Sequence, residues 1–408
     1  MLSNDALNNL IQPFIDRQEA LNMYVISTIC KRINEVGKLT LSDIQKLDFL
    51  FKGGADIRKI NAEIARVTNL QVKQVKGLIK EVAKDSYITA KPFYDYRHKS
   101  FIPFEKNKNL QRIVNGVSKQ TEGTFKNLSK ASAFMLRDKI NPNRLIPTSI
   151  SNTYQKVLDE AIQWVQQGGV DYNTAMQRTI RQLCDSGIRY VNYNTPSGRI
   201  YTQRLDTAVR RNLMDGVRQL NQQVQLEIGK QVNADGVEIS AHANSAPDHE
   251  PIQGRQFTNE QFDRMQNEMD FESHPTKGQK KKYYEAIRRA IGEWNCYHYI
   301  TTVKLDVMPP TYNDKQLQKF IDENHKGFQY GQQKITMYEC TQMQRKYETN
   351  IRRAKELVKA SQDAGNKKLE EQAQARLAEL KKQYVQFSKD CGLQVHWDRT
   401  NILGVDFN

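Results

Sequence analysis

The sequence predicts an α+β protein: a mostly helical N-terminal domain and a smaller C-terminal mixed α/β domain carrying a helical hairpin insertion. Three observations carry this. Apolar residues recur at spacings of three and four through most of the first 230 positions. Strand-like runs are short and confined to stretches near 188–201, 237–242 and 297–307. The stretch 313–390 is charged and helix-prone, with a breaker at Asp363-Ala-Gly-Asn366.

Taken in order, Leu7, Leu10, Ile11, Phe14 and Ile15, then Val25, Ile26, Ile29 and Ile33, fall on one helix face that ends at Gly37. Residues 39–43 predict a short helix with Thr40 or Ser42 as its cap. A longer helix is expected over 56–84. Pro92, Pro103 and the aromatics Tyr87, Phe93, Tyr94, Tyr96 and Phe101 read as an ordered connector whose rings pack on a core. Helices are expected over 105–138, 150–167 and 172–185. A hairpin then turns at Asn194-Thr-Pro-Ser-Gly198. Leu205, Val209, Leu213, Val217, Leu220, Val224 and Ile228 make one apolar stripe on a long helix. Strands are expected at 237–242 and 297–307, and two more at 393–397 and 402–407. The expected division is a helical region over 1–103, a helical domain with the hairpin over 104–235, and an α+β domain over 236–408 that contains the charged hairpin 313–390.

Composition limits the function classes. The 61 Lys and Arg outnumber the 46 Asp and Glu, giving a net charge of +15. That excess favours a polyanionic neighbour such as nucleic acid, although it also serves solubility. No apolar run is long enough to span a membrane. The N-terminus lacks a basic stretch followed by an apolar one, so no secretory signal is expected. Five scattered cysteines, an odd number, predict reduced thiols and no disulfide framework.

Three stretches carry more than folding information. The first runs Ser240-Ala-His242, then Pro247-Asp248-His249, then Gln253-Gly254. The second is Asn295-Cys296-Tyr-His298. The third is Gln344-Arg345-Lys-Tyr-Glu348-Thr-Asn-Ile351-Arg352. In this order and spacing they resemble the phage minor capsid protein 2 family, related to MuF-type phage head morphogenesis proteins. Residues 154–187 and 204–216 resemble that family's upstream helices. Two features depart from its pattern: Glu293-Trp294 beside the Asn-Cys motif, and the basic insert Lys277-Gly-Gln-Lys-Lys-Lys282.

The resemblance implies a non-enzymatic structural component of a tailed-phage virion, close to the portal and present in multiple copies. It would contact the portal and major capsid proteins, and lie beside packaged double-stranded DNA without reading its sequence. It would sit in the capsid interior or at the portal vertex after assembly in the host cytoplasm. It also implies two alternatives. One is a DNA-binding internal protein ejected with the genome. The other is an ADP-ribosyltransferase-like enzyme, active or vestigial, since the C-terminal domain is suggested to share that fold.

The residues themselves leave several chemistries to weigh. His242, His249, Cys296 and His298 are of zinc-ligand type, yet the same residues also serve as ordinary polar core. A His-Asn-His nuclease would need a ββα-metal context, and the prolines around His249 do not supply it. Transfer of ADP-ribose would need an acidic partner in the C-terminal strands, where only Asp406 is near. Lys277, Lys280, Lys281, Lys282, Arg288 and Arg289 are candidates for phosphate contact, as are basic residues within 345–355; solvated surface is the plainer reading.

Overall fold

The computed structural model describes residues 4–38, 47–138, 140–141, 143–167, 172–192, 200–267, 290–293 and 296–402. The short helix expected over 39–43, the hairpin turn at 194–198 and the terminal stretch 403–407 lie outside them. Among the described residues no helix is long and apolar enough to cross a membrane.

The chain is mixed α+β. Its helices are α1 (Asn4–Val36), α2 (Leu47–Ile88), α3 (Lys91–Tyr96), α4 (Lys108–Lys130), α5 (Ile150–Gln167), α6 (Tyr172–Ser186), α7 (Leu205–Val232), α8 (Asn259–Asn267), α9 (Asp314–Lys326), α10 (Met337–Asp363) and α11 (Lys367–Asp390). Strands are β1 (Ser132–Arg137), β2 (Leu145–Ser149), β3 (Arg189–Asn192), β4 (Tyr201–Arg204), β5 (Gly236–Ile239), β6 (Gln256–Thr258), β7 (Ile300–Val303), β8 (Phe328–Tyr330) and β9 (Gln333–Ile335). The chain forms two compact units, each assembled from three separated stretches.

The first unit comprises residues 1–12, 73–124 and 210–343. Its sheet has the order β6-β5-β7, antiparallel throughout. Central β5 is buried along its whole length, with Val237 opposite Phe257 on one side and Thr302 on the other. Val237, Ile239, Ile252, Phe257, Ile291 and Ile300 form the core against it. Strand β7 would be an open edge, but α7 covers it. The Asn221 and Gln225 side chains accept from the backbone N–H groups of Ile300 at 3.2 Å and Thr302 at 3.0 Å. Those donors would otherwise lack partners. The aromatic connector packs in part as its composition predicts: Tyr87 and Tyr94 are buried, Tyr87 stacks on Phe101 at 4.6 Å and its hydroxyl donates to the Ile102 carbonyl, whereas Tyr96 stays exposed.

The second unit comprises residues 13–72, 125–209 and 344–408. Its sheet has the order β2-β1-β3-β4. The β3–β4 pairing is the hairpin expected near 188–201. Helices α10 and α11 form the expected charged hairpin. They turn at Gly365 (φ +66°), where Asn366 caps α11 by accepting from the Leu369 N–H at 3.0 Å. A side chain is disfavoured at that φ, which is why glycine sits there. Ile351, Val358, Leu377, Leu380 and Tyr384 fill the seam.

Three expectations are corrected. The helix expected over 105–138 stops at Lys130, and 132–137 is instead β1, paired with both β2 and β3. The stretch 313–336 is not part of one helical hairpin, because the β8–β9 ribbon separates α9 from α10. The strand expected at 393–397 is absent; a turn of 3₁₀ helix over Trp397–Thr400 follows α11 there. It is held partly through the Tyr384 hydroxyl, which accepts from the His396 N–H at 2.8 Å.

Candidate functional site: a buried histidine–cysteine cluster

The first two motifs meet in the first unit. Strand β5 hands over to a tightly turned loop. The His249 N–H donates to the Ala246 carbonyl and the Gln253 N–H to the His249 carbonyl, at 2.9 and 3.1 Å. The Gly254 N–H then returns to the Ile239 carbonyl at 2.8 Å, closing the loop against the end of β5. Gly254 has φ +68°, and a Cβ there would lie 2.3 Å from Leu317 Cδ2. The conformation favours glycine, and a side chain there would also force the Leu317 side chain to shift. Helix α9 braces the loop from outside: Asn324 donates to a Glu250 carboxylate oxygen at 2.9 Å, and His325 lies 2.9 Å from the other.

Three side chains converge inside this loop. Cys296 Sγ lies 3.4 Å from His249 Nδ1 and 3.5 Å from His298 Nδ1. Their relative exposures are 5%, 1% and 2%. The far nitrogen of His298 faces Gln253 Oε1 at 3.4 Å and Ser245 Oγ at 3.5 Å. That of His249 faces Asp248 Oδ2 at 3.7 Å. Gln253 Oε1 also accepts from the His242 N–H at 3.1 Å. The His242 ring lies 4.3 Å from that of His298, its Nδ1 against the Ala243 carbonyl at 2.8 Å. Pro247 is exposed in the turn.

The electrostatics follow from this packing. Burial opposes ionisation of the Cys296 thiol, but the hydrogen bond and charge of His249 outweigh it, and the thiol is held below its ordinary value. Burial lowers the His242 imidazole, helped by nearby Arg218. All five cysteines are buried thiols and none forms a disulfide.

Of the residues singled out by sequence, the cluster gathers His242, His249, Gln253, Cys296 and His298, with Gly254 shaping the loop. Asn295, Lys277, Lys280, Lys281, Lys282, Arg288 and Arg289 lie outside the described residues. Sequence reasoning does not point to Ser245 or Arg218. Arg218 is buried on α7 over the Tyr299 ring at 5.5 Å; its only signal is that it adjoins the apolar stripe at Val217.

The third motif belongs to the second unit. Gln344 donates to Ser388 Oγ at 3.0 Å and to the Gln394 carbonyl at 2.7 Å. Glu348 accepts from the Tyr384 hydroxyl at 3.1 Å, and Ile351 enters the hairpin seam. Arg352 Nε lies 2.7 Å from Glu19, and its Nη1 donates to the Arg399 carbonyl at 2.5 Å. Lys355 donates to the Thr400 carbonyl at 2.8 Å. Arg352 and Lys355, candidates by sequence for phosphate contact, are thus committed to internal partners. Arg345 lies on the same helix, one residue after Gln344.

Most of these motif side chains are buried, each within its own unit. The chain belongs to the phage minor capsid protein 2 family, whose model matches residues 2–389. It is a bacteriophage structural protein of the virion. No curated protein matches the chain, and no solved structure does.

Proposed function

We propose that this chain is a stationary, portal-proximal component of the phage head. It helps the head assemble and lies beside the packaged genome without sequence-specific reading. The family match supports the virion setting. The observation that carries the structural role is the placement of the motif residues. His249, Gln253, Cys296, His298, Gln344 and Glu348 are almost wholly buried and spend their polar atoms on neighbours within their own unit, and Ile351 is buried in the hairpin seam. Residues that process a substrate need a route to it; these hold loops and helices together.

The charge of +15 supports the DNA-facing part, because a packaged genome presents phosphate to the inner surfaces of a head. Partners on this reading are the portal protein, the major capsid protein and double-stranded DNA. The ejected DNA-binding protein draws on the same charge and differs in leaving with the genome. For an ADP-ribosyltransferase-like reading, His242 would be the residue to hold a dinucleotide, but its ring rests on His298. Quantitative peptide mass spectrometry of purified virions tests the proposal. The chain is expected at a fixed ratio to the portal protein, and its absence from the virion would remove the structural reading.

A further inference from the structure

We propose that His249, Cys296 and His298 bind a zinc ion that fastens the Gly254 loop to the segment leading into β7. Zinc holds thiolate sulfur at about 2.3 Å and imidazole nitrogen at about 2.0–2.1 Å, so a tetrahedral angle puts sulfur and nitrogen about 3.5 Å apart. Cys296 Sγ stands 3.4 and 3.5 Å from the two Nδ1 atoms. The three ligand atoms all lie within 4.8 Å of one another, and all three residues are buried.

The surroundings fit as well as the ligands. Coordination through Nδ1 leaves a proton on each Nε2, which needs an oxygen nearby. For His298 those oxygens are Gln253 Oε1 and Ser245 Oγ; for His249 it is Asp248 Oδ2. A zinc ligand must be a thiolate, and Cys296 Sγ is the one sulfur of the cluster, with both imidazole nitrogens within 3.5 Å of it. A soft sulfur with two imidazoles suits zinc over magnesium or calcium. One tetrahedral vertex is left for a fourth donor; His242, a candidate ligand by sequence, is not among the converging ligand atoms, its Nδ1 lying against the Ala243 carbonyl at 2.8 Å. The same order of groups, thiol to His249 to Asp248, would also suit an acyl-transfer nucleophile. At 5% and 1% exposure, however, Cys296 and His249 give a substrate no room.

The test uses the full-length protein, loaded with zinc sulfate, desalted and analysed by inductively coupled plasma mass spectrometry and zinc X-ray absorption. The expected result is about one zinc per chain with one sulfur near 2.3 Å among its ligands. Cobalt(II) put in its place should give a sulfur-to-metal charge-transfer band that Cys296→Ser abolishes. Less than about a tenth of a zinc per folded chain would overturn the proposal. So would bound zinc with no sulfur ligand, a reading on the wild-type protein that does not depend on the variant folding. A charge-transfer band that survives in folded Cys296→Ser would place the metal elsewhere and overturn it too.

Discussion

Arg204 donates to both carboxylate oxygens of Glu356, at 2.5 Å from Nη2 and 3.4 Å from Nη1, in the interior of the second unit. Around this pair, Asp206 lies 3.4 Å from Arg204 Nε and 3.6 Å from Arg352, and Arg352 reaches Glu19. Asn22 completes the set, donating to Glu356 at 2.8 Å while its oxygen accepts from the Ile188 N–H at 2.7 Å. The network ties α1, the β4–α7 junction and α10 together. It gives the arginine of the third motif a structural reason to be there.

Removing one member should be costly. Glu356→Ala leaves Arg204 buried without its main partner, and a loss of about 3–5 kcal/mol is expected in denaturant unfolding. The double variant Arg204→Met, Glu356→Leu removes both charges, and it should recover most of that loss. Equal losses in single and double variants would mean that the pair matters through shape, not charge.

The same network predicts a pH effect. Burial pushes the Glu19 carboxyl up to about 8, with Asp206 and Glu356 adding to the rise and Arg352 and Arg204 opposing it. The folded value lies above the ordinary 4.5, so the folded state holds a proton that the unfolded chain releases. This contribution to stability is complete below about 4.5 and is lost as pH rises to about 8. Glu19→Gln mimics the protonated group, and its melting temperature should fall less over that window than the wild type's. Parallel pH profiles for the two proteins would show that Glu19 is ionised in the fold.

The loop around the cluster should be sensitive at Gly254. Gly254→Ala and Gly331→Ala both place a side chain at positive φ, +68° and +58°. Only the first meets a neighbour, Leu317, whereas Gly331 has open space around it. Both variants should lose about 1 kcal/mol to strain. Gly254→Ala should lose a further ~1–3 kcal/mol to overpacking. Thermal unfolding of the pair separates the two costs, and equal losses would contradict the tight packing of the loop.

Much of the fold is legible in sequence where burial imposes a period. The stripe from Leu205 to Ile228 is buried at all seven positions, and the break at Asp363–Asn366 is a capped turn. Strand β1 is not legible. Its burial does not alternate, so Ala133, Phe134 and Leu136 continue the apolar run of α4 without a change of period. The cluster is legible in residue type but not in pairing: nothing in sequence says that Cys296 meets the Nδ1 atoms of both His249 and His298. The charged network is hidden for a related reason. Arg352 and Lys355 look like solvated helix charges until Glu19 and the Thr400 carbonyl, both distant in sequence, are brought beside them.

Salt dependence tests the proposed contact with DNA. If Lys277, Lys280, Lys281 and Lys282 meet phosphates, replacing all four with Gln should weaken DNA retention across sequences. The slope of log K against log salt should fall by about 0.9 for each phosphate no longer neutralised. An unchanged slope would assign this insert to solvated surface.

The most direct measurement compares purified full virions with virions emptied of DNA, by quantitative peptide mass spectrometry normalised to the portal protein. A stationary head component should keep the same ratio to portal before and after emptying. Loss of the chain with the genome would contradict that account and identify an ejected, DNA-associated protein instead.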